Sequence, residues 1–134
     1  MRPVALVQTI LLAILVSFAG ATMASALEQK AYDADGFKAA QAAGKPVVIH
    51  VTAPWCPTCK AQHQVLDDLA KKPEYASITL YQVDFDSRKD ILKAFKATSQ
   101  STLIAFNGAT ETARVVGQTG AEAIEGVLAA STKK

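Results

Sequence analysis

The chain has 134 residues, half of them hydrophobic, with 14 basic and 12 acidic side chains. That near balance carries no basic block, which excludes the electrostatic footprint of a nucleic-acid or anionic-membrane binder. Beyond its first 26 residues the chain is long enough for one compact domain with a single core, and it shows no repeat, low-complexity tract or linker.

Residues 1–26 have the pattern of a secretory signal peptide. Arg2 supplies the positive charge, Leu6 to Ala19 form an apolar core broken by Gln8, Thr9 and Ser17, and Ala24-Ser25-Ala26 is a small-x-small cleavage signal. Cleavage after Ala26 would release a domain of residues 27–134 to the periplasm or the exterior, with no stable membrane contact. Pro3 to Ala24 is also long enough to span a bilayer, so an uncleaved anchor is the alternative. The Ala-Ser-Ala signal favours cleavage.

Lys30 to Tyr32 reads as a short edge strand. Asp33 or Asp35 can cap a first helix to about Ala43, with Phe37 and Ala40 inward and Gly44 ending it. Val47–Thr52 is apolar at nearly every position, as expected of a central strand buried on both faces. A second helix follows Cys56, with Pro57 in its first turn, where the missing N–H costs nothing. Its predicted core stripe is Ala61, Val65, Leu66, Leu69 and Ala70, opposite Lys60, Gln64, Asp67 and Lys71, and Lys72-Pro73 stops it. Ile78–Phe85 reads as another strand, and Ile91, Leu92 and Phe95 give a short helix one face. Thr102–Phe106 and Thr112–Val116 are expected to form a hairpin around Asn107-Gly108, with a loop longer than two residues. A closing helix after Gly120 should turn Ala121, Ile124, Val127 and Leu128 inward. The order β-α-β-α-β-α-β-β-α predicts an α/β fold, a mixed sheet covered on both faces.

Both cysteines lie in Trp55-Cys56-Pro57-Thr58-Cys59, between the apolar strand and its helix. Two thiols three positions apart at a helix start can close a small disulfide ring with little backbone movement. The unpaired N–H groups and dipole of the helix N-terminus stabilise a thiolate on the first sulfur. A purely structural disulfide is the usual reading in an oxidising compartment. So short a loop restrains little of the unfolded chain, however, which favours reversible dithiol–disulfide exchange.

This order, with W-C-x-x-C between the second strand and its helix, resembles the thioredoxin family from about Tyr32 to Ala130. Pro46–Lys60 is similar to the family's strand and active-site turn, and Val83-Asp84-Phe85-Asp86 to its next strand end. Ser101-Thr102-Leu103-Ile104-Ala105-Phe106-Asn107-Gly108 is similar to its P-T-L-x-x-F-x-x-G segment, and Val116-Gly117 to the glycine before its last helix. The resemblance implies a thioredoxin fold and a thiol–disulfide oxidoreductase, with a Cys56–Cys59 disulfide, Cys56 the nucleophile and Cys59 the resolving thiol. Cys56 is then expected to be the more exposed and more acidic of the two. Trp55, Pro57, Thr58, Ser101 and Thr102 would form the substrate-binding surface. No cofactor is implied. The expected partners are exported client proteins with thiols or disulfides and an unidentified redox partner, met by a monomer.

Three positions depart from the family pattern. The family's cis-proline falls at Ser101, its buried acid at His50, and its nearby lysine at Gln82. Attack needs only the two thiols, so the chemistry transfers while its tuning does not. A cis bond at a non-proline residue costs ~3–4 kcal/mol, so Gln100–Ser101 is expected to be trans, and the serine brings a hydroxyl near the disulfide. His50 could relay protons to Cys59, or be a buried neutral histidine satisfied by hydrogen bonds. His63, one turn beyond Cys59, reads as a half-exposed surface residue.

Two other functions are compatible with these residues. His50, Cys56, Cys59 and His63 make a two-Cys, two-His set suited to zinc or copper(I), although a strand histidine is an awkward ligand. A non-catalytic thioredoxin-like binding protein is the other, against which both retained cysteines argue. Covalent haem attachment is excluded, because Lys60 stands where that motif needs histidine.

Overall fold

The computed structural model describes residues 26–133, so the signal-peptide reading lies, apart from Ala26, outside the described residues. Its elements are β1 (Glu28–Ala31), α1 (Ala34–Ala42), β2 (Pro46–Thr52), α2 (Pro57–Leu69), a 3-10 turn (Pro73–Tyr75), β3 (Thr79–Asp84), α3 (Lys89–Ala94), β4 (Thr102–Asn107), β5 (Thr110–Val116) and α4 (Ala121–Thr132). The sheet runs β1-β3-β2-β4-β5. β1, β3 and β2 are parallel, while β4 and β5 continue antiparallel. This is the α/β thioredoxin fold expected from the sequence.

Local chemistry sets the boundaries. Asp33 caps α1, accepting from the N–H groups of Asp35 and Gly36. Gly44 ends that helix in a left-handed conformation, φ 66°. β1 runs from Glu28 to Ala31 rather than from Lys30 to Tyr32, because Glu28 and Gln29 already pair with Thr79 and Leu80 of β3. The hairpin loop is shorter than expected: Asn107 pairs with Thr110, leaving only Gly108 and Ala109 between the strands. A register shift at Ala105/Phe106 accommodates the extra residue.

Alternation along β2 separates two cores. Val47, Ile49 and Val51 pack with Phe37, Tyr81, Leu92, Ile104 and Phe106 on the α1/α3 side. The aromatic rings there meet mostly edge to face, as for Phe37 against Phe95 and Phe106. Val48 packs with Leu66, Leu69, Leu80, Leu103, Ile124 and Leu128 on the α2/α4 side. His50 falls on this second face, under α2.

The expected stripe of α2 holds at Leu66, Leu69 and Ala70, with Val65 half-buried against the same core. Cys59 and Gln62 join the buried side, and Ala61 is only half-buried. Ala121 is exposed, because α4 starts before its apolar face turns inward at Ile124. Among the described residues, no helix is long and apolar enough to cross a membrane.

Candidate active site

The turn from β2 into α2 builds the site. The Cys56 N–H donates to the Ala53 carbonyl at 3.2 Å. Cys56 then serves as N-cap of α2, with extended backbone, and Pro57 takes the first helical position. The Cys59 N–H donates to Cys56 Sγ at 3.1 Å, so one of the helix's free amides is aimed at the first sulfur. The two cysteines form a disulfide, their Cα atoms 5.3 Å apart.

Cys56 lies deeper than the sequence suggested, and Cys59 is deeper still. Cys56 is 4 % exposed and Cys59 1 %, packed with Ala53 and Phe85. The order of exposure is as expected, but Cys56 is not an open thiol, because neighbouring segments close over it. Trp55 by contrast is 58 % exposed, its indole N–H donating to Asp86 Oδ2 at 2.7 Å. Pro57 is exposed and Thr58 half-buried. Thr102 is buried, and its hydroxyl donates to the Ser99 carbonyl.

Ser101 covers the disulfide from the loop before β4. No cis peptide bond occurs among the described residues, so Gln100–Ser101 is trans, and Ser101 has a φ of 59°. Its N–H donates to the Val51 carbonyl at 2.8 Å, and its own carbonyl accepts from the Gly117 N–H at 2.9 Å. Its hydroxyl oxygen lies 3.2 Å from Cys56 Sγ and 3.1 Å from Cys59 Sγ. Disulfide sulfurs have no hydrogen to give, so the hydroxyl is the donor.

Gln62 ties this loop to the buried histidine. Its amide nitrogen donates to the carbonyls of Ser101 at 3.1 Å and Gln118 at 2.8 Å. Its oxygen is therefore the acceptor facing His50 Nε2, 2.9 Å away, which assigns the imidazole hydrogen to Nε2. His50 Nδ1 is then a bare acceptor, buried without a partner. Burial, with a smaller contribution from His63, lowers the His50 pKa to about 4 against the opposing hydrogen bond of Gln62. The imidazole is neutral near neutral pH.

No reading of the sequence identified Gln62. The signal was present: Cys59, Gln62, Leu66 and Leu69 recur at helical spacing along one face.

His63 is half-buried, its Nε2 3.1 Å from Thr52 Oγ1 and its ring 4.7 Å from that of His50. A cleft of about 450 Å³ opens beside Cys56, bordered by Thr52, Lys60, His63, Gln82 and Asp84. Gln82, at the position of the family's lysine, reaches Gln29 Oε1 at 3.4 Å. The four-residue metal set does not assemble: among the described residues no three His, Cys, Asp or Glu side chains come together as ligands. His50 and His63 spend their Nε2 atoms on Gln62 and Thr52 instead.

The family model described as Thioredoxin matches residues 26–130, nearly all of the described chain. The chain belongs to the thioredoxin family. Trxlp from Edwardsiella tarda EIB202 has a similar structure, with a TM-score of 0.72 and 35% identity over 75% of this chain and 98% of that one. A bifunctional thioredoxin reductase/thioredoxin of Mycobacterium leprae is 30% identical over 92 residues, 69% of this chain and 20% of that protein. The thiol:disulfide interchange protein DsbE of Pasteurella multocida is 34% identical over 67 residues, half of this chain and 33% of its own length. The chain thus spans only a fraction of these two relatives. Thioredoxin-family membership and a disulfide at the start of α2 together identify a thiol–disulfide oxidoreductase.

Proposed function

We propose that this thioredoxin-family protein is exported and exchanges disulfides with exported clients, Cys56 attacking and Cys59 resolving. The observation that carries the reading is the Cys59 amide donating to Cys56 Sγ at the helix N-terminus. That amide, with the helix dipole, favours negative charge on Cys56 and none on Cys59.

In the reducing direction the Cys56 thiolate attacks one sulfur of a client disulfide. A Cys56–client bond forms, the client S–S bond breaks, and the departing client sulfur takes up a proton. Cys59 then loses its proton and attacks Cys56 Sγ, closing the intramolecular disulfide and releasing the second client thiol. Two electrons pass to the client; oxidation of a client dithiol reverses the same steps.

Since Cys56 is buried, a client must present its sulfur into the turn, steered by the exposed Trp55 face and by backbone next to Ser101 and Thr102. Asp86 holds the Trp55 indole and limits its rotamers. Export is supported by the charged, apolar and Ala-Ser-Ala segments of residues 1–26.

Trapping tests the assignment. Cys59→Ala expressed with its native N-terminus should accumulate mixed disulfides through Cys56 in the exported fraction. Cys56→Ala should accumulate none. Adducts on Cys59 in the Cys56→Ala protein, at comparable yield, would reverse the roles.

A further inference from the structure

We propose that the Ser101 hydroxyl is a catalytic hydrogen-bond donor that holds Cys56 as a thiolate in the reduced enzyme. By doing so it biases the cysteine pair toward accepting electrons from dithiol clients. The inference rests on Cys56 being the attacking sulfur, as proposed above.

A hydroxyl has one hydrogen to donate and lone pairs to accept with. In the disulfide both neighbouring sulfurs are uncharged acceptors, and the single Ser101 hydrogen, on an oxygen 3.1–3.2 Å from each sulfur, has only weak partners. Reduction changes the arithmetic of that array. A client dithiol gives up two electrons and two protons and becomes a disulfide. One proton stays on Cys59, the other leaves to solvent, and Cys56 carries the charge. The Cys59 S–H then donates to Ser101 Oγ while the Ser101 O–H donates to the Cys56 thiolate. The serine keeps its proton throughout. The reduced state gains one hydrogen bond over the oxidised state, and the other becomes charge-assisted, roughly twice as strong as a neutral one. Stabilising the reduced dithiol makes the couple more oxidising.

The hydroxyl is held for this position. A non-glycine φ of 59° is uncommon, and here three hydrogen bonds fix it, from Ser101 to Val51 and to Ser101 from Gly117 and Gln62. Gln62 is fully buried, both amide hydrogens are used, and His50 holds its oxygen. Gln62 is thereby a positioning residue for Ser101. The other ionisable groups near Cys56 are Lys60, His63 and Asp84 across the cleft and Asp86 beyond Trp55. The neutral His50 lies behind Gln62, and none of these groups hydrogen-bonds the Ser101 hydroxyl, whose partners are the two sulfurs.

The test is Ser101→Gly, which loses the hydroxyl and accepts the positive φ, with Ser101→Ala as a second variant. Two quantities are read on the protein of residues 27–134: the pH profile of Cys56 alkylation by iodoacetamide, and the equilibrium with reduced and oxidised glutathione. The expected result is an alkylation midpoint about one pH unit higher. The glutathione equilibrium should shift about tenfold toward the disulfide, ~30 mV more reducing. Gln62→Met should move both in the same direction by less, which a purely structural glutamine would not do. An unchanged midpoint and equilibrium in Ser101→Gly overturns the proposal, even while Cys59→Ala still traps clients on Cys56. Failure of Cys59→Ala to trap clients on Cys56 removes the underlying assignment and this proposal with it.

Discussion

His50 sits where burial works against its charge. Its imidazole is held near a pKa of about 4, from an ordinary 6.5, chiefly by burial and then by His63. Between those values the unfolded chain binds a proton that the folded chain does not. Stability is therefore complete above about pH 6.5 and falls as the pH drops toward 4, by about 2 kcal/mol at pH 5. The paired carboxylates act lower. Arg114 holds Glu111, and Lys72 with Tyr75 holds Glu125, below the usual carboxylate value, so their contributions fade only under more acidic conditions. Urea unfolding at pH 7 and pH 5 should show this loss in the native protein and a much smaller one in His50→Gln. An equal loss in the variant would assign the proton to another group. Ser101 illustrates a second residue-scale constraint. Proline, fixed near −65°, cannot adopt its φ of 59°, and would remove the N–H that donates to Val51. Ser101→Pro is therefore incompatible with this backbone at position 101.

At the scale of elements, two helical glycines should respond oppositely to the same change. A Cβ on Gly36 would lie 2.6 Å from Asp33 Oδ2 and 2.8 Å from the Tyr81 hydroxyl, inside the cap of α1. Gly36→Ala is expected to lower stability by about 1–2 kcal/mol through the displaced cap and crowding. Gly126, in the interior of α4, has nothing within 4 Å of its added Cβ. Gly126→Ala should raise stability by about 0.5–1 kcal/mol by favouring the helix. Thermal or urea denaturation of the two variants checks both signs. The helices and strands themselves were legible because their signals are local: Asp33 before α1, the unbroken apolar run of β2, and Lys72-Pro73 after α2. The two-residue loop was not, since the irregularity at Ala105/Phe106 that permits it depends on pairing across the hairpin. The sulfur pair and the helix start beneath it were likewise readable from spacing and Pro57. The conformation of Ser101 was not. Serine has no strong preference for positive φ, and Val51, Gly117 and Gln62, which impose it, are distant in sequence.

For the whole molecule, the proposed processing site and the folded core meet at one residue. Leu27 would open the mature chain, and it is already 5 % exposed, packed with Val48, Tyr75 and Ile78. Its N–H donates to the carbonyl of Ala70, the C-cap of α2, at 3.1 Å. Cleavage after Ala26 would turn that N–H into an ammonium facing the negative end of a helix dipole, favourable by about 0.3–1 kcal/mol. Cleavage one residue later would strip a buried leucine, at a cost of about 2–5 kcal/mol. A chain beginning at Leu27 should therefore be at least as stable as one beginning at Ser25, and one beginning at Glu28 markedly less stable. N-terminal sequencing of the exported protein should read Leu-Glu-Gln first. A product that starts at Glu28 and unfolds at the same urea concentration as the chain from Leu27 would show that neither the core contact nor the helix-end charge matters to where this domain begins.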